Sequence, residues 1–279
     1  MPAPNEPAPL LRQLIDAALA GGREALAVYR TDFQVSVKAD ATPVSDADRR
    51  AEAAILARLR RDFPGVPVVA EEAASAGSLP QVGRRFLLVD PLDGTKEFIT
   101  GNGEFTVNVA LIEDGAPVAG VVLAPALGRL CAAADGAAWC ATVEPDCAAA
   151  GELSPIHVRR APAAPVGVAS RSHSNPETER ALAAAGVRER RSIGSSLKFC
   201  LVAEGEADFY PRLGPTMEWD TAAGDAVLRA AGGAVVTLSD APLVYGKPGD
   251  AGLRPFENPP FYAVGDVALL ARLSTREPA

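Results

Sequence analysis

Residues 104–142 read "EFTVNVALIEDGAPVAGVVLAPALGRLCAAADGAAWCAT", and two Asp-Gly pairs, Asp114-Gly115 and Asp135-Gly136, interrupt the apolar runs. Asp-Gly between β-prone segments is a strong signal for a two-residue hairpin turn, because both central residues of that turn take positive φ. This block therefore constrains the fold more than any other: it predicts consecutive antiparallel strands. Upstream, "GVPVVAEE" (65–72) reads as a strand ending on two glutamates. "RRFLLVD" (84–90) reads as a strand buried on both faces that ends on Asp90.

Helical spacing surrounds this block. Leu10, Leu14, Ala18, Leu19, Ala25, Leu26 and Tyr29 predict a helix near 8–30, after a loose proline-rich end. A short strand or hairpin is expected around 34–38. Ser45 then opens a second helix as a capping box with Asp48, and Ala51, Ile55 and Leu59 mark its buried face. Residues 144–165, rich in Pro, Ala and charge, suggest a junction between an N-terminal unit (1–150) and a C-terminal unit (151–279). In the second unit, "PVGVASRSH" reads as a strand leading into a loop. A helix follows from Pro176 to Ala185, stopped by Gly186, and another from about Ser195 to Glu204. A strand then runs to Tyr210, and "EWDTAAGDAVLRAAGG" (218–233) forms a helix.

A chain of 279 residues with 48% hydrophobic content suits one large α/β unit or two fused halves. The net charge of −8 argues against non-specific nucleic-acid binding and leaves small anionic substrates only where cations mediate the contact. The four cysteines, Cys131, Cys140, Cys147 and Cys200, form no Cys-x-x-Cys pair, and His157 and His173 are the only histidines. That composition supplies no zinc site and indicates no disulfide framework, so the cysteines read as small core residues. No apolar run reaches the 18 or so residues of a membrane span, and the N-terminus lacks a signal-peptide pattern. The expectation is a cytoplasmic protein, with peripheral attachment at the inner membrane left open.

The chemistry concentrates at "DPLDGTKEF" (90–98). Asp90 emerges from an apolar strand, Pro91 is expected to end that strand, and Asp93 returns within one turn. Two carboxylates held this close repel unless one is protonated or a cation lies between them. Mg²⁺ takes oxygen ligands, so Asp90, Asp93 and the Leu92 carbonyl between them form a plausible set of donors. Gly94 permits close backbone approach, and a helix starting near Thr95 would turn its free N–H groups towards a phosphate. The Thr95 hydroxyl is placed to orient a water, and Asp48 either accepts its proton or caps its own helix. Glu71 and Asp220 stand at a strand end and near a helix start, where a solvated loop residue or a partner of the helix dipole is the plain alternative. A phospho-aspartate mechanism would need its nucleophile two residues before Asp93, and that residue is Pro91.

Together, "PVSDAD" (43–48), "AEE" (70–72), "DPLDGTKEF" and "EWDTAAGDAVLRAAGG" resemble the inositol monophosphatase superfamily of Mg²⁺-dependent, lithium-sensitive phosphatases, from about Leu10 to Leu273. Lys96-Glu97-Phe98, "NGEFTVNVALI" (102–112), "SRSH" (170–173), "GSSLKFCLVAEGEADFYPRLGPTMEWD" (194–220) and "NPPFYAVGD" (258–266) make it most similar to the bacterial 3'(2'),5'-bisphosphate nucleotidases within it.

The resemblance implies a mixed α/β fold, layered α-β-α-β-α, with a mixed or antiparallel N-terminal sheet. It implies two to three Mg²⁺ ions held by Glu71, Asp90, the Leu92 carbonyl, Asp93 and Asp220; Glu72 is the weaker of the two glutamates. Asp48 and Thr95, with Glu71, would activate the attacking water. The substrate would contact Asp93, Gly94, Thr95, His173, Ser195, Lys198, Arg212 and Asp220, with Lys198 and Arg212 reaching the 5'-phosphate. The implied substrate is adenosine 3',5'-bisphosphate, a by-product of sulfate activation, and the implied state is monomer or homodimer. Inositol monophosphate or fructose bisphosphate remain alternative substrates, and a non-catalytic nucleotide-binding regulator a remote one.

Overall fold

The apolar block from Val68 onward folds into one sheet whose strands lie side by side in chain order. They are β1 (Val68–Ala70), β2 (Arg85–Asp93), β3 (Thr106–Glu113), β4 (Ala116–Ala124), β5 (Arg129–Ala134), β6 (Ala137–Thr142) and β7 (Ser154–Pro155). In this computed structural model, which describes residues 8–31, 46–169, 175–249 and 252–274, β1 and β2 run parallel and the remaining neighbours antiparallel. Both Asp-Gly pairs form the expected turns: φ is 50° and 76° at Asp114-Gly115, and 52° and 74° at Asp135-Gly136.

Strands β2 to β5 bury both faces over most of their length, which explains their unbroken apolar runs. Leu87, Val89, Val107, Val109 and Val121 meet α1 (Pro9–Tyr29) and α2 (Asp46–Asp62) through Leu14, Leu19, Ile55 and Leu59. Alternate residues, Phe86, Leu88, Ala110, Ile112 and Val122, face the opposite way, onto α6 (Leu197–Ala203) and α7 (Glu218–Ala230). Asp90 and Asn108 are register partners in β2 and β3 and continue this second face.

A second, mixed sheet lies beyond α6 and α7. Its strands are β8 (Val166–Ala169), β9 (Glu189–Ser192), β10 (Phe209–Arg212), β11 (Ala234–Thr237) and β12 (Phe261–Val264), in the order β11-β12-β10-β8-β9. Phe199, Val227, Val235 and Phe261 join it to the helices, and α5 (Pro176–Ala184) and α8 (Leu270–Ser274) cover its outer face, with Leu182 and Leu270 in one cluster with Phe209 of β10. The result is the α-β-α-β-α order of layers. Two short helices, α3 (Glu71–Ser75) and α4 (Thr95–Thr100), follow the ends of β1 and β2 directly and bring the site residues out of the first sheet.

Several expectations are corrected. The glutamates of "GVPVVAEE" do not end the strand; they open α3. Strand β2 does not stop at Asp90 but resumes at Asp93 after a register shift. β7 lies within the 144–165 stretch read as the junction and pairs with β6 as the last strand of the first sheet. β9 was not foreseen, since "ERRS" is polar and fully exposed. Cys131 and Cys140 are not merely small core residues: they are direct register partners across the β5–β6 hairpin and form a disulfide. Cys147 and Cys200 are free and buried, as expected. The strand expected at 34–38, Ser45 and His173 lie outside the described residues. No helix among the described residues is long and apolar enough to cross a membrane, and nothing described supports attachment at the inner membrane.

Candidate active site

The break in β2 is built by its own sequence. Pro91 has no N–H to give to the ladder, and the Asp90 carboxylate instead accepts the Leu92 N–H at 3.0 Å. Pairing resumes with Asp93 opposite Thr106. The Leu92 side chain anchors the bulge in a small core with Ala47, Ala51, Phe98 and Phe105. Gly94 follows at φ 97°, a left-handed conformation, and a Cβ there would collide with Ser195 Oγ. Thr95 then begins α4.

Three other elements bring carboxylates to the same place. Glu71 is the first residue of α3, and Asp220 is the third of α7, where it accepts the Met217 N–H at 2.9 Å. Asp48, 5% exposed, lies in the first turn of α2. Burial pushes the Glu71 carboxyl up to about 8, reinforced by repulsion from Asp220, Asp93 and Asp48 and opposed by a hydrogen bond with Asp90. Burial and then Asp93 raise Asp220 to about 7. Asp90 is raised by burial and by Glu71, Asp93 and Asp220. Asp93 is raised by burial and partly relieved by Lys198. Glu72 stands apart: burial raises it and Arg49 lowers it, and none of the clustered carboxylates acts on it.

Oxygen donors that repel one another in a buried site fit a hard divalent cation. The trio Cys131, Cys140 and Glu204, whose ligating atoms lie within 4.8 Å of one another, does not. Its sulfurs are bonded to each other, and Arg129 pairs with Glu204.

Asp93, Gly94, Thr95, Ser195, Lys198, Arg212 and Asp220 line one cavity of about 260 Å³, so the structure brings these expected residues together. Glu71, Asp90 and Asp48 do not line that cavity but are tied to it by charge. Lys198 is not the solvated helix residue its composition would allow. It is 4% exposed, donates to the Ser195 carbonyl at 2.6 Å and lies 5.3 Å from the Tyr210 ring centre. Burial lowers its ammonium to about 8, with Asp93 pulling the other way. Arg212 donates to the Pro215 carbonyl at 2.7 Å, while its buried Nε has no partner.

Ser195, at φ 53°, places its hydroxyl between the carbonyls of Asp93 (2.7 Å) and Glu104 (2.8 Å). Its side chain braces the β2 turn, so any substrate contact must use what that bond leaves over. Sequence reasoning missed Ser196 and Asn108. Ser196 Oγ lies 3.2 Å from Asp93 Oδ2 and 2.6 Å from the Asp220 carbonyl, and accepts from Asn108 Nδ2 at 3.0 Å. It thus links the two outer carboxylate positions. The available signal was the one amide in the apolar run "TVNVALI": a buried Asn needs partners, and here its Oδ1 still has none.

Residues 6–253 match the model of the inositol monophosphatase family. The chain is 47% identical over 238 residues to the 3'(2'),5'-bisphosphate nucleotidase CysQ of Escherichia coli K12, covering 85% of this chain and 94% of that one. It is 39% identical over 218 residues to a histidinol-phosphatase of Mycobacterium tuberculosis, covering 74% and 78%. Among solved structures, CysQ from Bacteroides thetaiotaomicron superposes with a TM-score of 0.76 at 38% identity, over 92% of this chain and 97% of that one. The carboxylate site at the end of β2, the five layers and these likenesses agree: the chain belongs to the inositol monophosphatase family.

Proposed function

We propose that this protein is a Mg²⁺-dependent 3'(2'),5'-bisphosphate nucleotidase that removes the 3'-phosphate of adenosine 3',5'-bisphosphate, giving AMP and phosphate. The observation that carries this reading is the mixed charge of one cavity: the carboxylates Asp93 and Asp220 line it together with the cations Lys198 and Arg212. A substrate with two phosphates uses both sets; a monophosphate leaves one unused. The identity to CysQ supports the same substrate.

The family is metal-dependent. Glu71, Asp90, the Leu92 carbonyl, Asp93 and Asp220 would hold two to three Mg²⁺ ions, which supply charge neutralisation and Lewis acidity. Thr95 orients the attacking water and Asp48 takes its proton. The water adds to the 3'-phosphorus in line as the bond to the 3'-oxygen breaks; that oxygen takes up a proton from solvent to leave as the 3'-hydroxyl of AMP, so no phosphoenzyme forms. Lys198 and Arg212 hold the 5'-phosphate, and Gly94 lets the backbone approach the substrate. In this reading residues 1–150 supply the metal ligands apart from Asp220, and residues 151–279 supply Lys198 and Arg212. The working state is a monomer or homodimer.

A second reading follows from the histidinol-phosphatase relative. The test compares kcat/KM with Mg²⁺ on adenosine 3',5'-bisphosphate, inositol 1-phosphate, fructose 1,6-bisphosphate and histidinol phosphate. The bisphosphate nucleotide is expected to lead by at least about tenfold, roughly 1.4 kcal/mol of transition-state stabilisation. A lead of that size by any other substrate overturns the assignment. Tight nucleotide binding without phosphate release would instead mark a regulator, although Asp48, Thr95 and all four acidic ligands are present.

A further inference from the structure

Glu52 has no place in the site described above, yet it is charged and only 8% exposed. Its Oε2 accepts the Glu72 N–H at 2.8 Å and its Oε1 accepts the Ala73 N–H at 3.1 Å. These two donors lie in the first turn of α3, where no carbonyl within the helix can reach them. The residue before α3 is Ala70, which offers no capping side chain. A carboxylate from α2 does that work instead. A five-residue helix has little stability of its own, so its placement depends on such a partner.

Glu52 is four residues after Asp48, one turn along the same face of α2. One turn of α2 therefore presents two buried carboxylates. Asp48 acts electrostatically on Glu71, and Glu52 grips the two peptide N–H groups that immediately follow Glu71.

We propose that Glu52 is a positioning residue: by clamping α3 to α2 it holds Glu71 and Asp48 as one rigid pair, and so sets the geometry of the Mg²⁺ site. This rests on the reading of Glu71 as a ligand and Asp48 as proton acceptor. A carboxylate can accept both N–H groups at once. Glutamine keeps one acceptor and turns an NH₂ group against the other donor, and aspartate is one methylene too short for either.

The test uses the full chain and the variants Glu52→Ala, Glu52→Asp and Glu52→Gln. Hydrogen exchange of the residue 72 and 73 amides, without metal or substrate, reads the clamp. Calorimetric titration with Mg²⁺ alone reads the site, and kcat/KM as a function of Mg²⁺ reads the consequence. Loss of a residue that orients a metal ligand costs about 10–100-fold in metal affinity or activity. Glu52→Ala and Glu52→Asp are expected to lose protection at 72 and 73 and to weaken Mg²⁺ binding by that factor. Glu52→Gln should fall between them and the wild type. At saturating Mg²⁺ the KM for the bisphosphate should stay within about twofold, since no substrate contact is removed.

Lost amide protection and a lower Tm with unchanged Mg²⁺ affinity would reduce Glu52 to a helix cap and overturn the proposal. If the alanine variant does not fold, Glu52→Gln decides by the same measurements. Wild-type protein that takes up no Mg²⁺ overturns this proposal and the ligand assignment together. A wild type that binds Mg²⁺ but prefers another substrate overturns only the assigned substrate.

Discussion

Asp90 is 1% exposed and shares its surroundings with Glu71, Asp93 and Asp220, so the metal-free protein carries a local cost of like charge. Asp90→Asn removes part of that cost along with a proposed metal ligand. Its kcat should fall by two or more orders of magnitude, on the scale of losing a key transition-state stabiliser. The Tm measured without metal should stay level or rise. Near-normal turnover would show that Asp90 is not a ligand. The raised carboxyls also set a pH dependence. Glu71 titrates near 8 and Asp220 near 7 in the folded chain, above their ordinary values of 4.5 and 3.8. Between those limits the native state binds more protons than the unfolded one, so stability falls as pH rises. The metal-free Tm should therefore decline from mildly acidic pH towards pH 8, and the Tm gain on adding Mg²⁺ should grow over the same range. A metal-free Tm that rises with pH there would contradict this.

The acidic residues were legible because their spacing is local: two aspartates three apart after an apolar run have few structural uses. Lys198 was harder, since nothing in "SSLKFC" states that the fourth residue is 4% exposed. Ser196 and Asn108 were missed because their role exists only where α6 meets β3, 88 residues away in sequence.

The motif "EWDTAAGDAV" needs both its acid and its small residues. Gly224 lies one helical turn after Asp220, and a Cβ at Gly224 would run into the Phe199 ring of α6. The glycine lets α6 and α7 touch closely, and Lys198, next to Phe199, and Asp220 line the same cavity. Gly224→Ala should cost about 1–3 kcal/mol as an overpacked contact, and Gly224→Val more. At this chain length that lowers Tm by roughly 2–10 °C. Because both wall-bearing helices are displaced, kcat/KM should fall by more than stability alone explains, when measured well below the Tm. Full activity in a folded Gly224→Val protein would show that this contact does not set the cavity. The helix was visible in the sequence from its period and its Gly232-Gly233 stop; its close contact was not, because a small residue announces only that something is near. β2 shows the opposite limit. A proline after a strand normally reads as its end, and only the Asp90–Leu92 hydrogen bond makes it a bulge from which pairing resumes.

At the scale of the whole molecule, the antiparallel first sheet was readable from its hairpins, whereas the second sheet was not. Its order β11-β12-β10-β8-β9 joins strands far apart in sequence, and two of its neighbour pairs are parallel, so no turn signal records them. The family resemblance, not periodicity, supplied the layers. The disulfide lies between those two cases. Cys131 is four residues before Asp135 and Cys140 four after Gly136, so a two-residue turn places them opposite each other. Counting from the turn would have found the pair, which cysteine motifs alone do not. The pair faces the layer of α6, and a carboxylate oxygen of Glu204, the residue that follows α6, lies within 4.8 Å of its sulfurs. Lys198 is at the other end of that helix, about 9 Å from Glu204 along its axis at 1.5 Å per residue. The α6 helix is also pinned at its active-site end by the Ser195 and Ser196 hydrogen bonds, none of which involves the disulfide. Cys140→Ser should therefore destabilise the oxidised protein by on the order of 2 kcal/mol, for so short a closed loop, and lower its Tm. Its kcat/KM should stay within about twofold of wild type. Adding a reductant to the wild type should reproduce both results, as thermal melts and initial rates on the same samples would show. A tenfold loss of kcat/KM with little change in Tm would mean that α6 transmits the state of this hairpin to Lys198, and that the pinning at Ser195 and Ser196 does not isolate the site.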